Sequence, residues 1–114
     1  MIYIIDDNRP MAECIALATK YPAQIFSNAI VAMQTIASGE LPSLIFLDIL
    51  LDGPDGFTFL NELASYTDTA KIPVVIVSSL DFKNQDLKSY GVVGVLNKDT
   101  FTPEEVQAYV KRYC

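Results

Sequence analysis

The sequence predicts an α/β fold in which a five-stranded parallel sheet is doubly wound, with helices on both of its faces. Short runs of β-branched residues alternate with segments whose apolar residues recur at helical spacing, which is the pattern of successive βα units. The runs Ile45–Leu47 and Val74–Val77 have no polar alternate face, as expected for strands covered on both sides. A chain of 114 residues suits one such domain, and we assign residues 1–114 to it.

Five strands and five helices follow from these patterns. The predicted strands are Ile2–Ile5, Gln24–Phe26, Leu44–Leu47, Val74–Val77 and Val92–Leu96. The predicted helices are Met11–Lys20, Ala29–Ala37, Phe57–Ser65, Phe82–Ser89 and a last helix that begins at Pro103. The three strands in the middle of the sheet are expected to be the most apolar, because helices cover both of their faces.

Residues at the helix ends support these ranges. Pro10 suits a first helical turn, Ser27 or Asn28 is expected to cap the second helix, and Gly39 to end it. Thr102 is expected to cap the last helix. The stripes expected to be buried are Met11, Cys14, Ile15 and Ala18 in the first helix, Ile30, Met33 and Ile36 or Ala37 in the second, and Val106, Tyr109, Val110 and Tyr113 in the last.

Charge and composition argue against several functional classes. Eight basic residues against 14 acidic ones give a net charge of −6, which opposes contact with nucleic acid backbones. No apolar run approaches the roughly 20 residues that a membrane helix needs, and the N-terminus lacks a signal-peptide pattern, so we expect a soluble, cytoplasmic protein. Cys14 and Cys114 lack the spacing of a metal or redox motif and are expected to be free thiols.

Acidic residues stand where two of the predicted strands stop. Asp6 and Asp7 follow the first strand, and Asp48 follows the third, just before a polar loop that contains glycine. Because open parallel sheets bind ligands at the carboxyl edge of their strands, these acids are expected to share one pocket. Carboxylates about 4 Å apart repel by roughly 4 kcal/mol per pair at an effective dielectric constant of 20, so the pocket needs a cation. Oxygen ligands without histidine or thiolate favour Mg²⁺.

The order and spacing of these residues resemble those of response regulator receiver domains, the phosphoacceptor modules of two-component signalling. The resemblance covers nearly the whole chain and rests on Asp6-Asp7 after the first strand, Asp48 after the third, Ser78 after the fourth and Lys98 after the fifth, with Asp55-Gly56 in the acceptor loop. It implies the flavodoxin-like receiver fold. It also implies that Asp48 accepts a phosphoryl group from a histidine kinase or a phosphotransfer protein. The domain would not be an enzyme beyond Mg²⁺-dependent self-phosphorylation and slow self-dephosphorylation at Asp48.

The resemblance also implies a role for each residue of the pocket. The implied Mg²⁺ ligands are the side chains of Asp7 and Asp48, Asp6 mainly through water, and the main-chain carbonyl of Leu50. Lys98 would place its charge on one phosphoryl oxygen, and the Ser78 hydroxyl would donate a hydrogen bond to another.

In members of this family the signal leaves through the face made by the fourth helix, the fifth strand and the last helix. Here that face would include Tyr90, Val95, Phe101 and parts of 106–113, and would contact an effector domain, a partner protein or a second receiver. Val95 stands where many relatives have an aromatic ring that moves on activation. Asp99 stands where many have a proline after a cis bond, so we predict a trans Lys98–Asp99 peptide bond.

Three other interpretations start from the same residues. A pseudo-receiver would keep the fold and bind partners without being phosphorylated. A phosphatase with an aspartate nucleophile would need an acid two positions after Asp48, where Leu50 stands. A flavodoxin would need a Ser/Thr/Gly phosphate cradle in the first loop, which instead reads Asp-Asp-Asn.

Overall fold

Nine regular elements make up the part of the chain that the structure, a computed structural model, describes: residues 1–49, 56–79 and 90–114. The strands are β1 (Ile2–Ile5), β2 (Ala23–Phe26), β3 (Leu44–Asp48), β4 (Val74–Ser78) and β5 (Val92–Asn97). The helices are α1 (Arg9–Thr19), α2 (Ala29–Ala37), α3 (Gly56–Ala64) and α4 (Pro103–Tyr113). The predicted helix over 82–89 and the loop residues Leu50 and Asp55 lie outside the described residues.

The five strands form one parallel sheet in the order β2-β1-β3-β4-β5. This order confirms the predicted doubly wound fold. In the register of the sheet, Ile5 lies beside Leu47, Asp48 beside Val77, and Ser78 beside Asn97. The carboxyl ends of β1, β3, β4 and β5 therefore meet at one edge.

Helices cover both faces of the sheet and divide the core into two clusters. On one face, α2 and α3 pack on alternate strand residues such as Ile45 and Leu47. On the other face, α1 and α4 pack on the intervening residues, such as Leu44 and Phe46. Every residue of β1, β3 and β4 is buried, whereas the edge strands β2 and β5 are partly exposed, which confirms that the middle strands are the most apolar.

The buried stripes of α1 and α2 differ from the predicted ones. Cys14 is exposed on α1, and Ile30 on α2 is 51% exposed. The residues that face the sheet are Ala12, Ile15 and Thr19 in α1 and Ala29, Ala32 and Ile36 in α2. Alanine lets a helix backbone approach the sheet closely, so small residues occupy the contact and larger neighbours turn outward. The prediction was therefore wrong at Cys14 and Ile30. It is confirmed for the other members of the stripes, since Ile15 and Ile36 are buried and Met11, Ala18 and Met33 pack against the core.

The caps of α2 and α4 follow the prediction, whereas the cap of α1 was not predicted. Asn8 caps α1 by accepting from the backbone N–H of Met11, so the helix begins two residues earlier than predicted. Asn28, one of the two candidates, caps α2. Thr102 caps α4 through a capping box with Glu105, and the stripe predicted for this helix packs against the core.

Three smaller observations complete the description. The Lys98–Asp99 peptide bond is trans, as predicted. Cys14 and Cys114 are exposed free thiols. Within residues 1–49, 56–79 and 90–114, no helix has both the length and the apolar character that crossing a bilayer requires.

Replacing Thr102 with Ala is expected to lower the free energy of unfolding by about 1 kcal/mol, because the first turn of α4 loses its capping acceptor. Urea denaturation followed by circular dichroism measures the change. Thr100→Ala is the matched control, since Thr100 is exposed and lies before the helix; its effect is expected to stay within about 0.5 kcal/mol. Equal losses in the two variants would contradict the capping role.

Candidate functional site

Polar side chains from four strand ends meet at the carboxyl edge of the sheet. Asp6 follows β1, Asp48 and Ser78 end β3 and β4, and Lys98 follows β5. The carboxylates of Asp6, Asp7 and Asp48 each offer an oxygen, and these atoms all lie within 4.8 Å of one another. The sheet register thus brings together acids that are more than forty residues apart in sequence.

Lys98 is the cation that lies among these acids. Its Nζ donates a hydrogen bond to Asp48 Oδ2 at 3.0 Å and lies 3.6 Å from Asp6 Oδ2. Its backbone N–H donates to the Ser78 carbonyl at 3.2 Å, which continues the β4–β5 pairing past the strand and aims the side chain at the acids. Burial lowers the pKa of Lys98, but the hydrogen bond to Asp48 and the charge of Asp6 outweigh it, so that the pKa lies above its ordinary value.

Asp6 is the acid whose charge is least well accommodated. It is 2% exposed, and its Oδ1 accepts from the backbone N–H of Asn8 at 2.8 Å. Its Oδ2 is buried without a hydrogen-bond donor. Burial raises the pKa of the Asp6 carboxyl, and the charge of Asp48 adds to the rise. A buried carboxylate oxygen without a donor is a position that a cation would satisfy.

The charge balance of the cluster also fits a divalent cation. Among the described residues, Lys98 pairs with Asp6 and Asp48, and the three carboxylates of the cluster carry more charge than this lysine, where two of the acids are buried. All the side-chain ligands on offer are hard oxygens, the donor set that Mg²⁺ prefers. These residues form an acidic cluster of the kind that receiver domains use for Mg²⁺.

A small polar cavity of roughly 190 Å³ opens above the cluster. Its lining residues are Asp7, Asn8, Asp48, Ser78, Ser79 and Lys98. The volume is several times the ~30 Å³ share of one water molecule, so a phosphoryl-sized group fits with its solvent. Asp48 is 3% exposed and Ser78 2% exposed, and both line this cavity.

Comparison with known proteins identifies the family. The sequence profile described as "Response regulator receiver domain" matches residues 2–111. The chain belongs to the response regulator receiver domain family. The chain is 32% identical over 83 residues to the response regulator PleD of Caulobacter vibrioides, an alignment that covers 70% of this chain and 18% of PleD.

Two further similarities agree with this assignment. The DNA-binding dual master transcriptional regulator RpaA of Synechocystis sp. is 29% identical over 114 residues, which covers 96% of this chain and 47% of RpaA. The receiver domain of NtrX from Brucella abortus has the same fold, with a TM-score of 0.83 at 22% identity over 99% of this chain and 97% of that one. The chain spans less than half the length of PleD and of RpaA.

The receiver domain assembles five of the six predicted site residues in one place. These are Asp6, Asp7, Asp48, Ser78 and Lys98. The sixth, Leu50 with its main-chain carbonyl, lies outside the described residues.

Two residues that support the site were not assigned these contacts from the sequence. Asn8 fixes Asp6 through its backbone N–H while its side chain caps α1. Gly56 lies so close to the end of β3 that a Cβ there would stand 2.6 Å from Ile49 Cα and 3.1 Å from the Asp48 carbonyl oxygen. The capping role of Asn8 could have been recognised from the sequence, because an Asn just before a helix with Pro in its first turn is a typical N-cap. Nothing local signals the close approach of Gly56.

Asp6→Asn is expected to raise the free energy of unfolding of the metal-free protein by on the order of 1 kcal/mol, because it removes a buried charge that lacks a donor. An acid whose pKa is raised in the folded state loses stability as pH rises from its ordinary value of 3.8 through the folded value. The free energy of unfolding of the variant should therefore depend less on pH above 3.8 than that of the wild type. Thermal melting in EDTA across a pH series measures both effects.

Asp68→Asn is the matched control. Asp68 follows α3 in the sequence, is exposed, and does not belong to the acidic cluster. It is expected to change stability by less than about 0.5 kcal/mol. If Asp6→Asn destabilised the metal-free fold, the electrostatic account of the cluster would be wrong.

Proposed function

We propose that residues 1–114 form one cytoplasmic receiver domain whose Asp48 accepts a phosphoryl group from a histidine kinase or a phosphotransfer protein. The observation that carries this proposal is the position of Asp48 in the wall of a polar cavity, hydrogen-bonded to Lys98 and beside two more acids. A carboxylate used only as a cap or a surface charge would not require this burial. The domain acts as a signalling module rather than as an enzyme that turns over an external substrate.

The metal site in this proposal uses four groups. They are the carboxylates of Asp6, Asp7 and Asp48 and the main-chain carbonyl of Leu50. When bound, Mg²⁺ supplies positive charge that reduces the repulsion between the acceptor and an incoming phosphoryl group. Asp6 Oδ2 supports this assignment, because it is buried without a hydrogen bond. Its cationic neighbour, Lys98 Nζ, lies 3.6 Å away.

In the transfer step, a carboxylate oxygen of Asp48 attacks the phosphorus of the phosphohistidine. An O–P bond forms as the P–N bond breaks, and the electron pair of that bond leaves with the imidazole. Lys98, which holds Asp48 Oδ2 at 3.0 Å, is near enough to transfer its hydrogen bond to a phosphoryl oxygen. The Ser78 hydroxyl, in the cavity wall, would donate to a second oxygen.

The output in this proposal begins with the same two residues. The added phosphoryl charge of about −1.5 to −2 draws Ser78 and Lys98 inward. Because the Lys98 backbone N–H donates a hydrogen bond to the Ser78 carbonyl, the ends of β4 and β5 move together. The surface that follows includes Tyr90, Val95 and Phe101, with the outer side of 106–113. Val95 is 39% exposed, as a residue in a docking surface should be. An effector domain, a partner protein or a second receiver would bind there.

Incubation with acetyl phosphate and Mg²⁺ is expected to add the mass of one phosphoryl group to the protein. Asp48→Asn should abolish the addition, because an amide has no nucleophilic carboxylate oxygen, and EDTA should suppress it. Intact-mass spectrometry measures the product, and beryllofluoride with Mg²⁺ gives an independent test through a shift in melting temperature. Asp99→Asn, an exposed acid next to Lys98, is the control that should still be phosphorylated.

Phosphorylation of Asp48→Asn at the wild-type rate would refute the assignment of the acceptor. A wild-type protein that responds neither to acetyl phosphate nor to beryllofluoride, but binds a kinase or effector, would instead support a pseudo-receiver.

Ser78→Ala is expected to slow phosphorylation by acetyl phosphate roughly tenfold or more, because a hydrogen bond to a charged oxygen is worth about 1.5 to 3 kcal/mol. Ser79→Ala tests the neighbouring hydroxyl, whose residue is exposed and also lines the cavity. Its rate should stay within about twofold of wild type. A larger effect for Ser79→Ala would show that the wrong serine was assigned.

A further inference from the structure

The outward side of α2 exposes apolar residues on the face of the sheet opposite α1 and α4. No charged residue occurs in α2, whose sequence is AIVAMQTIA. Ile30 is 51% exposed and Val31 44% exposed. A surface helix normally presents charged or polar residues to solvent, and contiguous exposed apolar area marks interaction sites.

A groove runs between this helix and α3. Its first part, roughly 320 Å³, is lined by Ala29, Ile30, Met33, Gln34, Ala37, Thr58, Phe59 and Glu62. Its second part, roughly 400 Å³, is lined by Met33, Ile36, Ala37, Gly39, Glu62, Tyr66, Asp68 and Thr69. The two parts share Met33, Ala37 and Glu62, so they form one continuous groove along the helices. Each helix has nine residues and is thus about 13 Å long, which matches two to three turns of a bound helix.

The charges of the groove decide what kind of occupant it fits. Glu62 lines both parts and Asp68 lines the second, while no lysine or arginine of the described residues lines either. A second copy docked through the same face would bring these acids together, and each copy carries a net charge of −6. A partner with basic residues beside an apolar stripe would neutralise them.

We propose that the α2–α3 groove binds an amphipathic helix of another protein, with apolar residues at i, i+3, i+4 and i+7 inside the groove and lysine or arginine beside Glu62 and Asp68. Helix-in-groove recognition uses this spacing. Ile30 and Met33 contact the apolar stripe above the buried Phe59, and the acids set the orientation of the helix. The groove shares no lining residue with the cavity of the phosphoacceptor cluster.

The probe is a helical peptide with leucines at that spacing and lysines on both flanks, titrated into the ¹⁵N-labelled full chain at moderate salt. Chemical-shift changes are expected to centre on α2 and α3. Ile30→Ser should weaken binding roughly tenfold, because it removes a large apolar side chain from the contact. Val31→Ser is the matched control, since Val31 is exposed on the same helix and does not line the groove; its affinity should stay within about twofold.

Two further variants test the electrostatic part. Glu62→Gln should weaken binding about threefold, and a peptide with glutamate in place of lysine should bind at least roughly tenfold more weakly. These tests also hold if Ile30→Ser fails to fold. The proposal is overturned if a peptide with scrambled leucines binds equally well, or if Val31→Ser weakens binding as much as Ile30→Ser. It is also overturned if the wild-type protein dimerises and Ile30→Ser makes it monomeric, since a second copy would then occupy the groove.

Discussion

The arrangement of three carboxylates around one lysine is the constraint on which the other features of the site depend. Asp6 and Asp48 are buried, and Lys98 Nζ lies 3.6 Å from Asp6 Oδ2 and 3.0 Å from Asp48 Oδ2. Within residues 1–49, 56–79 and 90–114, the single ammonium group of Lys98 cannot neutralise three acids, and Asp6 Oδ2 accepts no hydrogen bond. The fold holds this unfavourable charge because β1, β3 and β4 are wholly buried strands whose ends cannot separate without exposing the core. A rigid sheet thus holds together an acidic cluster of the kind that receiver domains use for Mg²⁺.

Much of the fold follows from the sequence because parallel strands that are buried on both faces leave a strong local signal. Each predicted strand begins and ends within one residue of the observed one, and α2 has the predicted ends. The buried stripes of α1 and α2 were harder to predict from the sequence. Cys14 and Ile30 looked like core residues, yet alanines took their place, because the distance between helix and sheet is set by packing across the whole layer. Local periodicity carries no information about that distance.

The residues of the site were predictable to a similar degree, and for a different reason. Asp6, Asp48, Ser78 and Lys98 stand at strand ends, so the topology alone brings them to one edge. The close approach of Gly56 to the end of β3 depends instead on how the chain returns into α3. A glycine in a loop has many ordinary explanations, and only coordinates separate a flexible turn from a required contact.

Asn8 links the acidic cluster to the helical layer on the opposite side of the site. Its backbone N–H holds Asp6, and its side chain starts α1, which shares a core with α4. One residue therefore serves both the electrostatics of the pocket and the anchoring of a helix. A shift of Asp6 would therefore also displace Asn8 and the first turn of α1. Substitutions at Asn8 would consequently mix folding defects with changes in ligand affinity, and the loop between β1 and α1 has little freedom to vary in length or composition.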